Sequence, residues 1–230
     1  MDVAGRIPRL LALLTVAGCD QLLVSHLTNV RYLTGYTGSA ALLAVTPTAT
    51  TLVTDGRYRE QATGELVDHG VTAVVAVGRT RNEQRSLVRD AVRRGGLGLE
   101  ADHVTWSAQR AYAADWFDGR DLVATTGLVE GLRSVKDAGE VARIEVACRL
   151  ADQALEDVRP LLADRPTEQA FASALDNRIR ALGADDISFD TIVASGPNGS
   201  RPHHTPGHRQ IEPGDLVTVD FGALVDGYHS

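Results

Sequence analysis

Apolar and polar positions alternate with two periods along this chain, and the switches between them mark its elements. Ile7, Leu10, Leu13 and Leu14 recur at helical spacing with Arg6 and Arg9 between them, and Gly18 closes that segment before the apolar run Leu22-Leu23-Val24. Strands are predicted over residues 21–25, 40–45 and 50–53, the last two joined by a turn at Thr46-Pro47-Thr48. A short helical segment around 29–33, a helix from 58 to 65, a buried strand at 71–77 and a helix from 82 to 94 fill the next stretch. A strand at 97–100, a helix at 105–116 and a strand at 121–125 complete the first region. Strands alternating with helices predict an α/β layer architecture.

The second region opens on a longer period. Val141, Ile144, Cys148, Ala151, Leu155, Val158 and Leu162 step by three and four, which predicts one helix over 138–162 with Asp137 as its N-cap. A second helix runs from Thr167, with Glu168 in its first turn, to Leu182, where Gly183 ends it. Strands at 191–194 and 216–222 flank a loop rich in Gly, Pro and His, and Asp226-Gly227 signals a hairpin. The domain boundary falls at about residues 132–137.

Composition narrows the function class. The chain has 230 residues, 43% of them apolar and 23% charged, enough to bury a substantial core. A net charge of -7 without a long basic run excludes a protein built to grip nucleic acid, and no segment is long enough to span a bilayer. Val16-Ala17-Gly18-Cys19 behind Arg6 and Arg9 has the form of a lipoprotein cleavage site, but the apolar stretch is short and an amphipathic opening helix fits it better. Cys19 and Cys148 sit in no ligand spacing and are expected as buried, reduced thiols.

Asp220 carries the most chemistry. It lies in the apolar run Leu216-Val-Thr-Val-Asp220-Phe-Gly222, where a buried carboxylate needs a partner or a metal; a strand-end aspartate taking backbone N–H groups is the other reading. A two-residue hairpin loop at 225–226 or 226–227 puts the position after Ser230 on the Asp220 face. His204 and His208 have the spacing of a helical zinc pair, but Pro206 and Gly207 between them oppose a helix. His26, His69 and His103 stand alone as surface or packing residues, and His229, on the hairpin, suits packing or support of the site.

Gly214-Asp215-Leu-Val217-Thr-Val-Asp220-Phe-Gly222, followed by Gly227-Tyr228, resembles the first metal-ligand strand of the creatinase, prolidase and aminopeptidase P superfamily, the pita-bread metallopeptidases. Ser195-Gly196-Pro-Asn-Gly-Ser200-Arg-Pro202-His203 resembles the segment whose histidine lies beside the metals. Asn29-Val-Arg31-Tyr32-Leu33-Thr-Gly35 and Thr54-Asp55-Gly56-Arg57-Tyr58 are similar to the N-terminal domain of the branch acting on Xaa-Pro bonds. The resemblance implies a creatinase-type, ribonuclease H-like α/β domain over residues 1–132 and the first part of an α+β pita-bread domain over 137–230. It implies that Asp220 is the first metal ligand and that His203 is the catalytic, substrate-binding histidine.

The same resemblance implies a cytoplasmic homodimer that cleaves proline-containing peptides with two divalent ions, Mn2+ or Co2+, and has no nucleic acid or membrane partner. Of the family's five protein ligands only Asp220 falls within these residues, so the chain alone is expected to be inactive. A metal-independent, creatinase-like amidinohydrolase and a non-catalytic binding or dimerisation module are the rival readings. Asp55, Arg57 and Tyr58 either shape a substrate pocket across a subunit interface or form a turn and open a helix; Asn29, Arg31 and Tyr32 pose the same choice.

Overall fold

The period-two runs of the first region become the middle layer of a three-layer unit. The computed structural model describes residues 1–230, and the chain divides into two compact units, Asp2–Val135 and Lys136–Ser230, the latter also including Met1. In the first unit α1 (Arg6–Leu14) leads to β1 (Gln21–Val24), α2 (Leu27–Thr34), β2 (Leu42–Val45) and β3 (Thr50–Thr54). There follow α3 (Arg59–Asp68), β4 (Val74–Val77), α4 (Arg81–Ala91), β5 (Leu97–Glu100), α5 (Trp106–Ala111), β6 (Leu122–Thr125) and α6 (Leu128–Ser134). The strands form one six-stranded sheet in the order β4-β3-β2-β1-β5-β6. The pairs β1–β2 and β2–β3 are antiparallel, and the others are parallel.

Alternation assigns each strand residue to a face. Leu22, Val24, Leu43, Val45 and Leu52 pack with Ile7, Leu10 and Leu14 of α1 on one side. Leu23, Ala44 and Val53 pack with Val88, Tyr112, Trp116 and Phe117 on the other. Each fully buried aliphatic side chain contributes about 1.5–3 kcal/mol by leaving water. Arg6, read above as part of an amphipathic opening helix, is 1% exposed; its guanidinium lies 4.1 Å from the Tyr32 ring centroid and donates to the Tyr32 carbonyl at 2.8 Å.

Several expectations need correction here. The strand expected to be buried over 71–77 is β4, a shorter edge strand with Val74 61% exposed, because it pairs with β3 on one side only. The helix expected over 105–116 closes with a wider turn in which the Phe117 amide donates to Tyr112. The opening helix ends at Leu14, before a turn that reaches Gly18. Helix α6 was not anticipated, because Gly127 and Gly131 break its period.

The second unit packs α7 (Ala138–Val158) and α8 (Glu168–Ala181) against β7 (Asp186–Ile187), β8 (Ile192–Ser195), β9 (Val217–Asp220), β10 (Ala223–Val225) and β11 (Tyr228–His229). The strands form two small antiparallel sheets, β11-β10-β7 and β8-β9. The buried stripe of α7 is Ala147, Ala151, Ala154 and Val158; the expected stripe holds at Ala151, Leu155, Val158 and Leu162, which are buried in or packed against this core, and fails at Val141, which is 43% exposed, and at Cys148, which faces solvent. Small alanines permit close approach to α8, so packing selects them over the bulkier row beside them. Burial was expected of both cysteines, but Cys19 is buried and Cys148 is exposed.

No helix is long and apolar enough to cross a membrane. The hairpin has the loop Asp226-Gly227, since Val225 pairs with Tyr228, and both loop residues have positive φ, 48° and 78°. That conformation matches the right-handed twist of the strands, and glycine adopts it without strain. At the start of α7, Asp137 accepts from the Glu140 amide at 2.9 Å while the Glu140 carboxylate accepts from the Asp137 amide at 2.9 Å, a reciprocal capping box. Asp137→Ala is expected to lower the opening free energy of the first turn of α7 by about 1 kcal/mol, read as faster hydrogen exchange at the Val141 amide.

Candidate functional site

Helical spacing places an acidic residue on the buried stripe of α8. Glu168, Phe171, Ala172, Leu175 and Ile179 follow one another at i, i+3, i+4, i+7 and i+11, and all five are buried, Glu168 completely. Thr167 caps the helix by accepting from the Ala170 amide at 3.1 Å. The Glu168 carboxylate therefore enters the protein at the positive end of the helix, where a negative charge is favoured.

Five donors converge on it. One oxygen accepts from the Ser195 amide at 2.8 Å, the Ser195 hydroxyl at 2.7 Å and the Asn198 side-chain amide at 3.0 Å. The other accepts from His204 Nε2 at 2.8 Å and the Gly207 amide at 3.3 Å, with Asn198 at 3.2 Å. An ionised carboxylate only accepts, so His204 carries a proton on Nε2. Burial pushes the Glu168 carboxyl upward, but the hydrogen bonds from Asn198, His204 and Ser195 outweigh it and hold it at about 2.

The loop between β8 and β9 is laced to the same helix end. The Glu168 and Gln169 amides, which no helical carbonyl can satisfy, donate to the carbonyls of Arg209 and Gly207, both at 3.0 Å. Arg209 forks onto Asp215 at 2.6 and 3.1 Å and also donates to the Ser195 hydroxyl. Asp215 accepts in addition from the Glu212 amide at 2.9 Å, and its carboxyl is held below the usual range first by Arg209 and then by that amide. Gly196, at φ 49°, lies against this pair: a Cβ there would stand 2.5 Å from an Asp215 carboxylate oxygen. Asp215 of the strand motif thus has a structural task.

Asp220 and His203 are placed otherwise. Asp220 pairs with Ile192 at the end of β9, about 10 Å along the strand from Val217, where the loop returns. Its side chain is exposed beside that of Thr218, while Val217 and Val219 are half-buried, so the burial expected for it is not found. No hydrogen bond or ion pair engages it. His203 is exposed in the loop, and no direct interaction joins it to Asp220. No three His, Cys, Asp or Glu side chains are close enough together to hold a metal ion by themselves. His204 turns to Glu168 while His208 and His229 are exposed.

The first-unit candidates are held in local hydrogen-bond networks. Asp55 caps the turn at Gly56–Tyr58 and forms a two-point pair with Arg57 at 3.0 and 2.8 Å, which lowers the Asp55 carboxyl. The Tyr58 hydroxyl lies 2.7 Å from that of Ser39. Asn29 is fully buried and donates to Glu100 at 2.8 Å and Glu130 at 2.6 Å while accepting from Arg133 at 3.1 Å. His26 and His103 stack at 4.3 Å.

Comparison with known proteins adds relatives to this geometry. The Creatinase/Prolidase N-terminal domain family matches residues 6–135, and Metallopeptidase family M24 matches residues 142–230. An uncharacterised peptidase of Bacillus subtilis is 37% identical over 218 residues, covering 93% of this chain and 59% of the relative. Among solved structures, a Xaa-Pro dipeptidase from Bacillus anthracis superimposes with a TM-score of 0.89 at 33% identity, covering 99% of this chain and 63% of that one. An X-Pro aminopeptidase from Thermotoga maritima gives 0.83 at 27% identity, covering 94% and 62%. The chain spans about three fifths of the length of these relatives.

The buried carboxylate has a pH signature. Its folded value of about 2 lies below the ordinary 4.5, so the stabilisation it lends is full above pH 4.5 and is lost as the pH falls through 2. The shift corresponds to on the order of 3 kcal/mol. Glu168→Gln is expected to be less stable than the parent at pH 7 and to lose this part of the acid slope, measured by urea unfolding of the Lys136–Ser230 unit followed by hydrogen exchange at several pH values.

Proposed function

Because the chain belongs to the creatinase/prolidase-type family of M24 metallopeptidases, we propose that it carries part of an enzyme that hydrolyses the peptide bond before proline with two divalent metal ions. The observation that carries this reading is Asp220, an exposed carboxylate at the end of β9 with no protein partner, in the strand that matches the family's first ligand. The names of the Bacillus anthracis and Thermotoga maritima relatives support proline-containing peptides as substrates.

The donor chemistry fits a hard divalent ion, since carboxylate oxygens suit manganese and cobalt is accessible to the same set. Asp220 would contribute one ligand, and no three His, Cys, Asp or Glu side chains lie close enough together to complete a site by themselves. When bound, such ions polarise the scissile carbonyl and lower the pKa of water to the neutral range. This chain's own share is to hold the Asp220 oxygen at a rigid strand end and to offer His203 as a hydrogen-bond donor to the substrate near the scissile bond. With Leu224 opposite His229, Ser230 falls opposite Ala223 and a position after it would fall opposite Gly222, two residues from Asp220, where a second carboxylate would complete a shared ligand pair. We further assign the working protein to a homodimer of the cytoplasm.

Two outcomes test the reading. The 230 residues alone are expected to release no product from an Xaa-Pro dipeptide in the presence of Mn2+. In a protein with the full length of these relatives, Asp220→Ala is expected to lose bound manganese by metal analysis and to lower kcat/KM by more than about 100-fold, beyond the loss typical of outer-shell partners. Retained stoichiometry would remove Asp220 from the ligand set.

A further inference from the structure

Two neighbouring histidines in one loop have opposite surroundings. His204 is 11% exposed and hydrogen-bonded to Glu168, whereas His203 is exposed and makes no protein contact of that kind. The backbone between the anchors is a pair of consecutive turns: the Arg201 amide donates to the Asn198 carbonyl at 2.9 Å, and the His204 amide donates to the Arg201 carbonyl at 3.2 Å. In the second turn Pro202 and His203 are the central residues, and proline presets the backbone at the first of these positions. His203 thus stands at the tip of a turn whose closing residue is tied to a buried charge.

The starting residue of the double turn is tied to the same charge. Asn198 donates to both Glu168 oxygens, at 3.0 and 3.2 Å, and Gly207, three residues past His204, donates through its amide at 3.3 Å. Asn198, His204 and Gly207 bracket the segment, so a single carboxylate anchors it on both sides of His203. The carboxylate is itself immobile, since α8 supplies it and Ser195 at the end of β8 binds it twice. Hydrogen bonds to a charged, desolvated acceptor are stronger than those between neutral groups.

We propose that Glu168 and His204 are positioning residues that fix the turn presenting His203, so that the first histidine meets substrate and the second holds it there. This rests on the peptidase reading for the role of His203, but the geometry of the clamp does not. In this arrangement Glu168 would influence the reaction through the turn that carries His203, beside its contribution to stability. A purely space-filling role for His204 makes a different prediction: any residue that fills the pocket would serve, whether or not it donates a hydrogen bond.

The test is NMR on the 230-residue chain, which needs neither metal nor peptide. His204→Ala and His204→Phe remove the donor, the second while keeping bulk, and His204→Gln keeps a donor near the place of Nε2. Expected are a fall of about tenfold or more in amide-exchange protection across residues 198–207 in the Ala and Phe variants, and a change in the His203 backbone coupling constant and amide order parameter. His204→Gln is expected to restore both. Unchanged His203 couplings and loop protection in His204→Ala, or full restoration by His204→Phe, would overturn the clamp. Glu168→Gln with a normal fold and a normal His203 signature would do the same. In the longer enzyme, His203→Ala with an intact loop and undiminished kcat would instead defeat the substrate role of His203, leaving the exchange data to judge the clamp alone.

Discussion

Ordering of the second unit's working end depends on one buried negative charge. Removing a carboxylate from water costs several kcal/mol unless its lone pairs are filled, and Glu168 is filled from a strand end, a turn and a loop. The dependence runs both ways. Ser195, Asn198, His204 and Gly207 have no regular secondary structure in common, and the carboxylate is what they share. A long Gly- and Pro-containing loop would otherwise sample many conformations, with a backbone ordering cost of about 1–2 kcal/mol per residue. Around that centre the Arg209–Asp215 pair closes a second ring of charge-assisted bonds, and between them they convert an irregular stretch into a defined surface.

The first unit solves a different problem by simpler means. Its sheet sorts residues by parity, and its helices cover both faces, so most of its stability comes from apolar contact. Its polar cluster of Asn29, Glu100, Glu130 and Arg133 is internally satisfied and links elements far apart in sequence. The two units therefore differ in what a sequence can reveal of them. Continuous apolar runs such as Leu22-Leu23-Val24 and capped helices beginning at Asp137 and Thr167 were legible, because local physics alone decides them. The edge position of β4 and the burial of Ala147 and Ala154 on α7 were not, because both depend on which neighbour is present.

The same division holds at the site. Asp220 and His203 stood out through motif resemblance, but the network beneath them did not, since its members are scattered from Glu168 to Asp215 and meet only in the fold. One signal was available and overlooked. Glu168 shares the helical stripe of Phe171, Ala172, Leu175 and Ile179, and an acidic residue in phase with a buried stripe has to find partners inside. His204 was weighed as half of a zinc pair with His208; the bond it makes is to a residue some way back in the chain, which spacing cannot reveal.

Gly196 shows what such interlocking does to a position that is only half-buried. Hydrogen is the largest substituent that fits between its Cα and the Asp215 carboxylate, and its backbone lies in a region that side chains disfavour. Solvent exposure is ordinarily a licence for sequence drift, because nothing is displaced when a surface residue changes. Here the licence is withdrawn by a salt bridge lying across the backbone. Tolerance to substitution in this loop is thus governed by clearance to a neighbouring charged pair, and a residue visible from outside is as constrained as one in the core.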